Sequence, residues 1–499
     1  MLYLETRRLS LDHPVWSYAP LFQTDGYGWL LDSGMDPQRL GRHSFLGGGP
    51  AALLVAHRLA GAGPEGSPFR LELTTWRRPD GSRPAETGPD AWIGDPFEAL
   101  RGLQADYGGP AEAVPADAPP FSGGLVGYFG YETGYAIETL PDTGADDLGL
   151  PTVAVMVADD VLCHDHLTGE TTLLVTGRGP DTGAARQDAQ DRSDLWQNKL
   201  SEYSPIDQPP VPDQVPPAVA RAHFDRAGYM GAVQACREHI LNGDVFEVCL
   251  THRLETDLPG DPWDLYADLR RINPAPFAAW LCFPEHQILS ASPERFLRLD
   301  SDRVAESRPI KGTRPRGDTP ARDAALRRDL AESEKDRAEN LMIVDLVRND
   351  LGRVAEIGSV EVTELLAVEP YATVFQLVST VIGRLKPECD ALDLVRAGFP
   401  GGSMTGAPKI EAMKIIDSLE PVKRGVYSGA IGYLDRAGGL DLSIVIRTLV
   451  CRDGRCTLGV GGAVTADSDP AAEYQETLDK ARALLEAVGL AAAREGGRS

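Results

Sequence analysis

The first third of the chain leaves a folding polypeptide few options. From residue 1 to about 175 the apolar residues come in short runs cut by glycine and proline, as in YGWLLDSG, FSGGLVGYFGYETG and PTVAVMVADDVLCHDHLTGETTLLVTG. A helix needs apolar residues every third or fourth position over ten or more residues, and these runs are too interrupted to supply that. Short strands joined by turns satisfy the pattern, so residues 1–177 are predicted to form a β-rich N-terminal unit. At 178 the texture turns polar (GPDTGAARQDAQDRSDLW) and then proline-rich (SPIDQPPVPDQVPP), so 178–218 reads as a helix and an extended linker. Beyond it the two periodicities alternate. Long helices are predicted near 319–350, 390–398, 408–418 and 470–488, with strands near 429–434, 441–450 and 456–464. Residues 219–490 therefore read as an α/β or α+β catalytic unit, and 491–499 as a tail.

Composition narrows the function. With 499 residues, 42% of them hydrophobic, the chain can bury several cores, and it has no apolar run long enough to span a bilayer. The N-terminus, MLYLETRRLSLDHP, lacks the basic-then-apolar order of a secretion signal, which predicts a cytoplasmic protein. Seven scattered cysteines, an odd number without CxxC spacing, suggest neither a disulfide framework nor a zinc ribbon. A net charge of −25 argues against nucleic acid or an anionic membrane as a partner. Of the 49 basic residues only eight are lysines, and one of them, Lys311, sits inside the turn-like run ESRPIKGTRPRG. Lysine can give up its proton when buried and act as a nucleophile; arginine cannot.

Other residues offer chemistry by spacing. Glu473, Glu476 and Lys480 share one face of the predicted C-terminal helix, which starts at Ser468 or Asp469 and Pro470. Asp336 and Glu339 stand at i, i+3 on an earlier helix. Such acid pairs are usually solvated faces, but two of them together can hold a hard cation such as Mg²⁺ through carboxylate oxygens. FPGGSMTGAPK is a glycine-rich turn entering a helix, without the Lys-Ser/Thr of a nucleotide-binding loop. TLGVGGAVTADSDP, with Gly459, Gly461 and Gly462, is a second such junction. Cys163-His164-Asp165-His166 lies on an alternating strand and reads as structural. All nine histidines precede residue 287, so acid–base work in the motif-rich half must fall to lysine, carboxylates or tyrosine.

Taken together, SASPERFLRL, RPIKGTRPRG, KDRAENLMIVDLVRNDLGRV, FPGGSMTGAPKIEAMKIIDSLEP, YSGAIGYL, LSIVIRTL and ADSDPAAEYQETLDKARAL resemble, in order and spacing, the chorismate-utilising enzymes. LLDSG, GRHSFLGG and GGLVGYFGYE extend the resemblance toward the N-terminus. It implies an α/β (α+β), anthranilate-synthase-component-I-like fold, with large antiparallel β-sheets forming a sandwich flanked by helices. Within the family, Pro-Ile-Lys-Gly-Thr at 309–313 resembles the aminodeoxychorismate synthase component I group, where anthranilate synthases typically carry alanine in place of Lys311. That group's reaction converts chorismate and ammonia to 4-amino-4-deoxychorismate, for 4-aminobenzoate and folate synthesis. The resemblance makes Lys311 the covalent nucleophile, a role that requires a lowered pKa, which burial and a nearby positive charge can provide, and Glu294 the acid–base residue. It makes Glu339 and Glu476 the Mg²⁺ ligands, with Glu473 and Asp336 in support. Gly312, Thr313, Tyr427, Arg447, Gly461, Gly462 and Lys480 stand at its substrate positions.

Two positions depart from the family pattern. Phe375-Gln376 precedes LVST where many members carry histidine, and Ala463 stands where glycine is usual. The chain has no cysteine followed by the His-x-Glu of a glutaminase, so ammonia is expected from a separate glutaminase subunit. Asp32 and Ser33 of LLDS match a tryptophan-type effector pocket in related enzymes. The competing expectations are an anthranilate synthase component I, an isochorismate or salicylate synthase, and a non-catalytic subunit that binds an amino acid.

Overall fold

The short apolar runs assemble into two antiparallel sheets of twelve strands each in a computed structural model of the chain, which describes residues 1–59, 68–84, 88–109, 111, 115, 118–205, 217–371 and 374–498. The first sheet runs in the order Leu2–Leu9, Thr171–Arg178, Asp160–Asp165, His43–Gly48, Gly28–Asp32, Phe277–Phe283, His286–Ser292, Thr448–Arg452, Arg455–Val464, Glu247–Asp257 and Arg221–Ala222. Gly406–Ala407 pairs beside the start of Glu247–Asp257. The second sheet runs Ile310–Pro315, Val374–Arg384, Val304–Ser307, Arg295–Leu299, Leu440–Ile444, Ala430–Asp435, Gly124–Phe129, Val153–Ala158, Ala52–Arg58, Phe69–Thr75 and Asp90–Gly94. Glu361–Pro370 pairs on the other side of Val374–Arg384.

Strands from either side of the 178–218 segment meet at one seam in each sheet. Gly28–Asp32 pairs with Phe277–Phe283, Asp32 opposite Ala278, and Gly124–Phe129 pairs with Ala430–Asp435, Gly127 opposite Gly432. Segments 1–177 and 219–490 thus each build part of both sheets. The helix expected at their junction is Thr182–Glu202, capped by Asp181. The proline-rich linker after it falls mostly at 206–216, outside the described residues.

The alternating strands bury one face between the sheets, where Trp29, Phe45, Tyr128, Met156, Leu281, Ile431 and Tyr433 pack together. Helices cover the outer faces. Pro262–Ile272, Thr182–Glu202 and the C-terminal helix Pro470–Arg498 pack on the first sheet, and Pro96–Tyr107, Glu334–Val354 and Ala391–Gly398 on the second. This is a mixed α/β architecture, a β-sandwich flanked by helices, as the resemblance implies. Among the described residues no helix is long and apolar enough to cross a membrane.

Three local expectations change. The helix predicted over 319–350 is two, Pro320–Glu332 and Glu334–Val354, because Ser333 is extended and its hydroxyl accepts from the Asp336 N–H as the cap of the second helix. The C-terminal helix, capped by Asp469 through the Ala472 N–H, continues past 490 to Arg498. The expected tail is helical because Leu490 and Ala491 are buried, and the ion pair between Arg494 and Asp268 holds the last turns down. The strand predicted over 441–450 is interrupted at Arg447, whose φ of +50° turns the chain.

Each half of the chain alone would leave two long sheet edges unpaired at the seams. Residues 1–205 and 219–499, produced separately, are expected to lack the cooperative thermal transition of the whole chain when followed by far-UV circular dichroism. A sharp transition in either fragment alone would contradict this.

Candidate active site

Two of the short crossings that carry the chain between the sheets lie side by side. Residues 293–294 link His286–Ser292 in the first sheet to Arg295–Leu299 in the second, and residues 445–447 return from Leu440–Ile444 to Thr448–Arg452. The crossings hold each other. The Ile444 N–H donates to the Glu294 carbonyl at 3.0 Å, the Ala291 N–H to the Arg447 carbonyl at 3.1 Å, and the Ser292 hydroxyl to the Ile444 carbonyl at 2.6 Å. Beside them opens a cavity of about 570 Å³, bounded by Ile310–Pro315, Arg455–Val464, Glu334–Val354 and the C-terminal helix.

The cavity brings together Lys311, Glu294, Gly312, Thr313, Tyr427, Arg447, Gly461, Gly462, Lys480, Glu339, Glu476 and Asp336. Among the described residues no histidine lines it. Glu473 is buried at its margin, where it accepts from the Ser468 hydroxyl at 2.7 Å.

Lys311 enters through a bulge. The register of Ile310–Pro315 against Val374–Arg384 shifts between Ile310 and Thr313, and Gly312 takes a φ of +84°. A bulge of this kind re-aims a side chain, here that of Lys311 into the cavity. A Cβ at Gly312 would lie 2.8 Å from the Asp336 carboxyl carbon, so a larger residue would both strain the backbone and displace that acid.

The ammonium of Lys311 donates to Glu247 Oε1 at 2.6 Å, with the lysine side chain 10% exposed and the glutamate fully buried. Burial acts to lower the lysine's pKa. The charges of Glu247 and then Glu339 outweigh it and raise the pKa above the ordinary lysine value. A contact at this range contributes on the order of 6 kcal/mol at an effective dielectric near 20, comparable with the desolvation cost of an ion, and the Glu339 charge acts in the same direction. The resting lysine is therefore protonated, contrary to the lowered pKa expected from burial alone.

Glu294 faces the opposite situation. Burial pushes its carboxyl up to about 7, against the opposing effects of a Ser403 hydrogen bond and the Lys311 charge. Near neutral pH it can either hold or release a proton, as an acid–base group must.

Between the two long helices the carboxylates converge. Glu339 is likewise pushed up to about 7, chiefly by burial, and the hydrogen-bonding capacity of its Oε1 and of Glu473 Oε2 is unmet. Lys335 Nζ stands 3.8 Å from Glu339 and 3.7 Å from Glu473, and Lys480 Nζ stands 2.8 Å from Glu476. A Cβ on Gly462 would lie 2.9 Å from Glu473 Oε2 and 3.5 Å from Glu476 Oε1, so the bare backbone makes room for both acids. Among the described residues no three acidic, imidazole or thiol groups are drawn close enough to hold a metal as they stand. Ammonium groups occupy that role. The all-oxygen donor set, with buried carboxylate oxygens that lack a hydrogen-bond donor, has the chemistry that a hard divalent ion takes.

Arg447 is half-buried at the crossing, and its guanidinium makes no hydrogen bond or ion pair with a described side chain. It lines the cavity. Lys480 also donates to the Gly461 carbonyl at 2.8 Å. Of the two departures from the family pattern, Phe375 is buried under Arg316, while Gln376 and Ala463 line the cavity. Sequence reasoning did not assign Glu247, Lys335 or Ser403. An isolated acid in the apolar strand VFEVCLT and a lysine four residues before Glu339 were the available signals.

Asp32 and Ser33 line a separate cavity of about 350 Å³, with Arg39, His43, Phe45, Arg295, Tyr433 and Asp441 among its walls. Their side chains are engaged internally. Asp32 pairs with Arg270 and accepts from the Ser44 hydroxyl, and the Ser33 hydroxyl donates to the His43 carbonyl. On the neighbouring strand, His164 and His166 bond to Thr171 and Ser44.

A sandwich of two large antiparallel sheets, with a lysine and carboxylates gathered in a cavity beside its crossings, is shared with known proteins. A family model described as chorismate binding enzyme matches residues 85–486, and the chain belongs to that family. It is 44% identical to an aminodeoxychorismate synthase of Streptomyces griseus over 94% of this chain and 62% of the relative, so it spans less than two thirds of that protein's length. It is 38% identical to anthranilate synthase component 1 of Cereibacter sphaeroides, covering 97% of this chain and 94% of the relative. In structure it is similar to anthranilate synthase component I from Streptococcus pneumoniae, with a TM-score of 0.73 and 29% identity over 90% of this chain and 94% of that one.

Because Glu294 binds its proton more tightly folded than unfolded, its contribution to stability is present below its ordinary carboxylate pKa and is lost as pH rises toward 7. Glu132 and Glu339, pushed up similarly, share this slope. Between pH 5 and 7.5 the wild type is expected to lose more than about 1.4 kcal/mol relative to Glu294→Gln. Urea midpoints at the two pH values check this, and parallel slopes would refute it.

Proposed function

We propose that this chain is the chorismate-aminating component of an aminodeoxychorismate synthase, making 4-amino-4-deoxychorismate from chorismate and ammonia on the way to 4-aminobenzoate and folate. The observation that carries the reading is Lys311, an amine projected by a bulge into the cavity that also holds Glu294 and the unpaired Arg447. The 44% identity to the Streptomyces griseus synthase supports it. The likeness to anthranilate synthases is nearly as strong, and Lys311 is the residue on which the resemblance separates the two groups.

In this reading Arg447 and Lys480 receive the substrate carboxylates, and Tyr427 with the backbone of Gly312, Thr313, Gly461 and Gly462 shapes the floor. Glu339 and Glu476, supported by Glu473 and Asp336, would hold Mg²⁺, whose charge offsets that of the ring carboxylate. The Lys311 nitrogen bonds to ring C2, the two ring double bonds shift, and the C4–O bond breaks. The departing oxygen takes the Glu294 proton and leaves as water. Ammonia then bonds to C4, the double bonds shift back, the C2–N bond breaks, and the new amine loses its proton to Glu294. The absence of a histidine beside the cavity favours release at the amino-chorismate stage.

Ammonia is assigned to a separate glutaminase subunit, consistent with the component naming of the anthranilate synthase relatives. The reaction is assigned to the cytoplasm. The second cavity, at Asp32 and Ser33, is proposed to take an amino-acid effector, which equilibrium dialysis with tryptophan tests.

With chorismate, Mg²⁺ and ammonium, product is expected only when an aminodeoxychorismate lyase is added to release 4-aminobenzoate. Anthranilate fluorescence without the lyase would sink the reading. Lys311→Ala is expected to lower turnover by roughly a thousandfold or more while chorismate still binds. Chelation with EDTA is expected to abolish turnover, with recovery on adding Mg²⁺.

A further inference from the structure

We propose that Glu247 is the base that takes the Lys311 proton so that the free amine can attack, and that returns it when the C2–N bond breaks. The inference rests on the reading of Lys311 as nucleophile. The cavity holds the lysine as an ammonium, which has no lone pair to give, so an acceptor must stand within hydrogen-bond reach. Glu294 cannot serve, because in the same step it must already carry the proton that leaves with the C4 oxygen. Glu339 and Glu476 act on Lys311 by charge alone, Cys249 is a thiol held protonated by burial, and none of these has a hydrogen bond to the lysine.

Glu247 does have one. It is the only carboxylate bonded to Lys311 Nζ, at 2.6 Å, and the lysine is its only side-chain donor among the described residues. Its other oxygen, Oε2, is buried without a partner. The backbone behind it is pinned, with Glu247 opposite Ala407 and the Phe246 N–H donating to the Ala407 carbonyl at 2.7 Å. At this buried contact a short proton shift turns an ion pair into two neutral groups.

The protons balance. A Lys311 N–H bond breaks and its proton bonds to Glu247 Oε1. The freed lone pair forms the C2–N bond, leaving a positively charged adduct, a neutral Glu247 and an ionised Glu294. When ammonia adds at C4, the C2–N electron pair returns to Lys311, the new ammonium gives a proton to Glu294, and Glu247 gives its proton back to the lysine.

The test follows formation of the Lys311 adduct, chorismate less one water, in the whole Mg²⁺-loaded enzyme without ammonia, by rapid quench and intact-protein mass spectrometry. Glu247→Gln keeps a carbonyl that can accept the lysine hydrogen bond but cannot take the proton. Its rate relative to wild type is expected to be at most about a tenth at pH 6.5 and to rise roughly tenfold per pH unit, because only the variant must lose the Lys311 proton to solvent. Taking the ratio cancels the titration of Glu294. Glu247→Asp is expected to recover much of the rate with the wild-type profile, and chorismate binding by calorimetry is expected to be unchanged in both. If Glu247→Gln does not fold, Glu247→Asp against Glu247→Asn makes the same comparison of carboxylate with amide. A ratio near one at every pH overturns the role of Glu247 alone, provided the wild type forms both adduct and aminodeoxychorismate. A wild type that forms neither overturns the functional reading, and this inference with it.

Discussion

Main-chain pairing at the two sheet seams is the constraint on which the rest of this structure depends. Asp32 opposite Ala278 and Gly127 opposite Gly432 join strands some 250 to 300 residues apart in sequence, and they do so in both layers. With both seams closed, the sandwich has one continuous interior and helices have a face to cover on each side. The cavity lies in the C-terminal share of this frame, but the crossings that shape it are stiff because the sheets they connect extend far beyond it.

Within that frame the charges are arranged against one another more than against water. Lys311 is held by Glu247, Lys335 bridges Glu339 and Glu473, and Lys480 is tied to Glu476 and the Gly461 carbonyl. Arg447 stands apart from this exchange. A chain with a net charge of −25 thereby keeps several cations at one concave site, each restrained by a neighbour whose hold is local and short-ranged. Burial acts to raise both Glu294 and Glu476, and it pushes the first up to about 7, whereas the charges of Lys480 and then Lys335 outweigh it at the second and hold that carboxyl below the usual range.

Much of this was legible in the sequence where the signal is local. The expected strands at 429–434 and 456–464 and helices at 390–398 and 408–418 fall within a residue of Ala430–Asp435, Arg455–Val464, Ala391–Gly398 and Lys409–Leu419. Apolar spacing and helix caps fix such elements from neighbours alone. Strand partners were not legible, because alternation reveals which face is buried and says nothing of what lies alongside. The break at Ser333 was hidden by strong helical residues on both sides. Lys311 and Glu294 could be picked out through motifs, whereas Glu247 could not be tied to Lys311, since 64 residues separate them and only folding brings the carboxylate to the amine. Lys335 could not be tied to its acids, because Glu473, one of the two, sits on a different helix.

The paired crossings also link the two cavities. Glu294 lies on one crossing and faces the larger cavity; Arg295, the next residue, faces the smaller one. Arg295 bonds Asp441 and Glu306 on its own sheet, and the smaller cavity also touches Asp32, Phe45 and Ala278 of the opposite sheet. The two chambers thus share a stretch of wall in which neighbouring residues of one crossing face opposite ways.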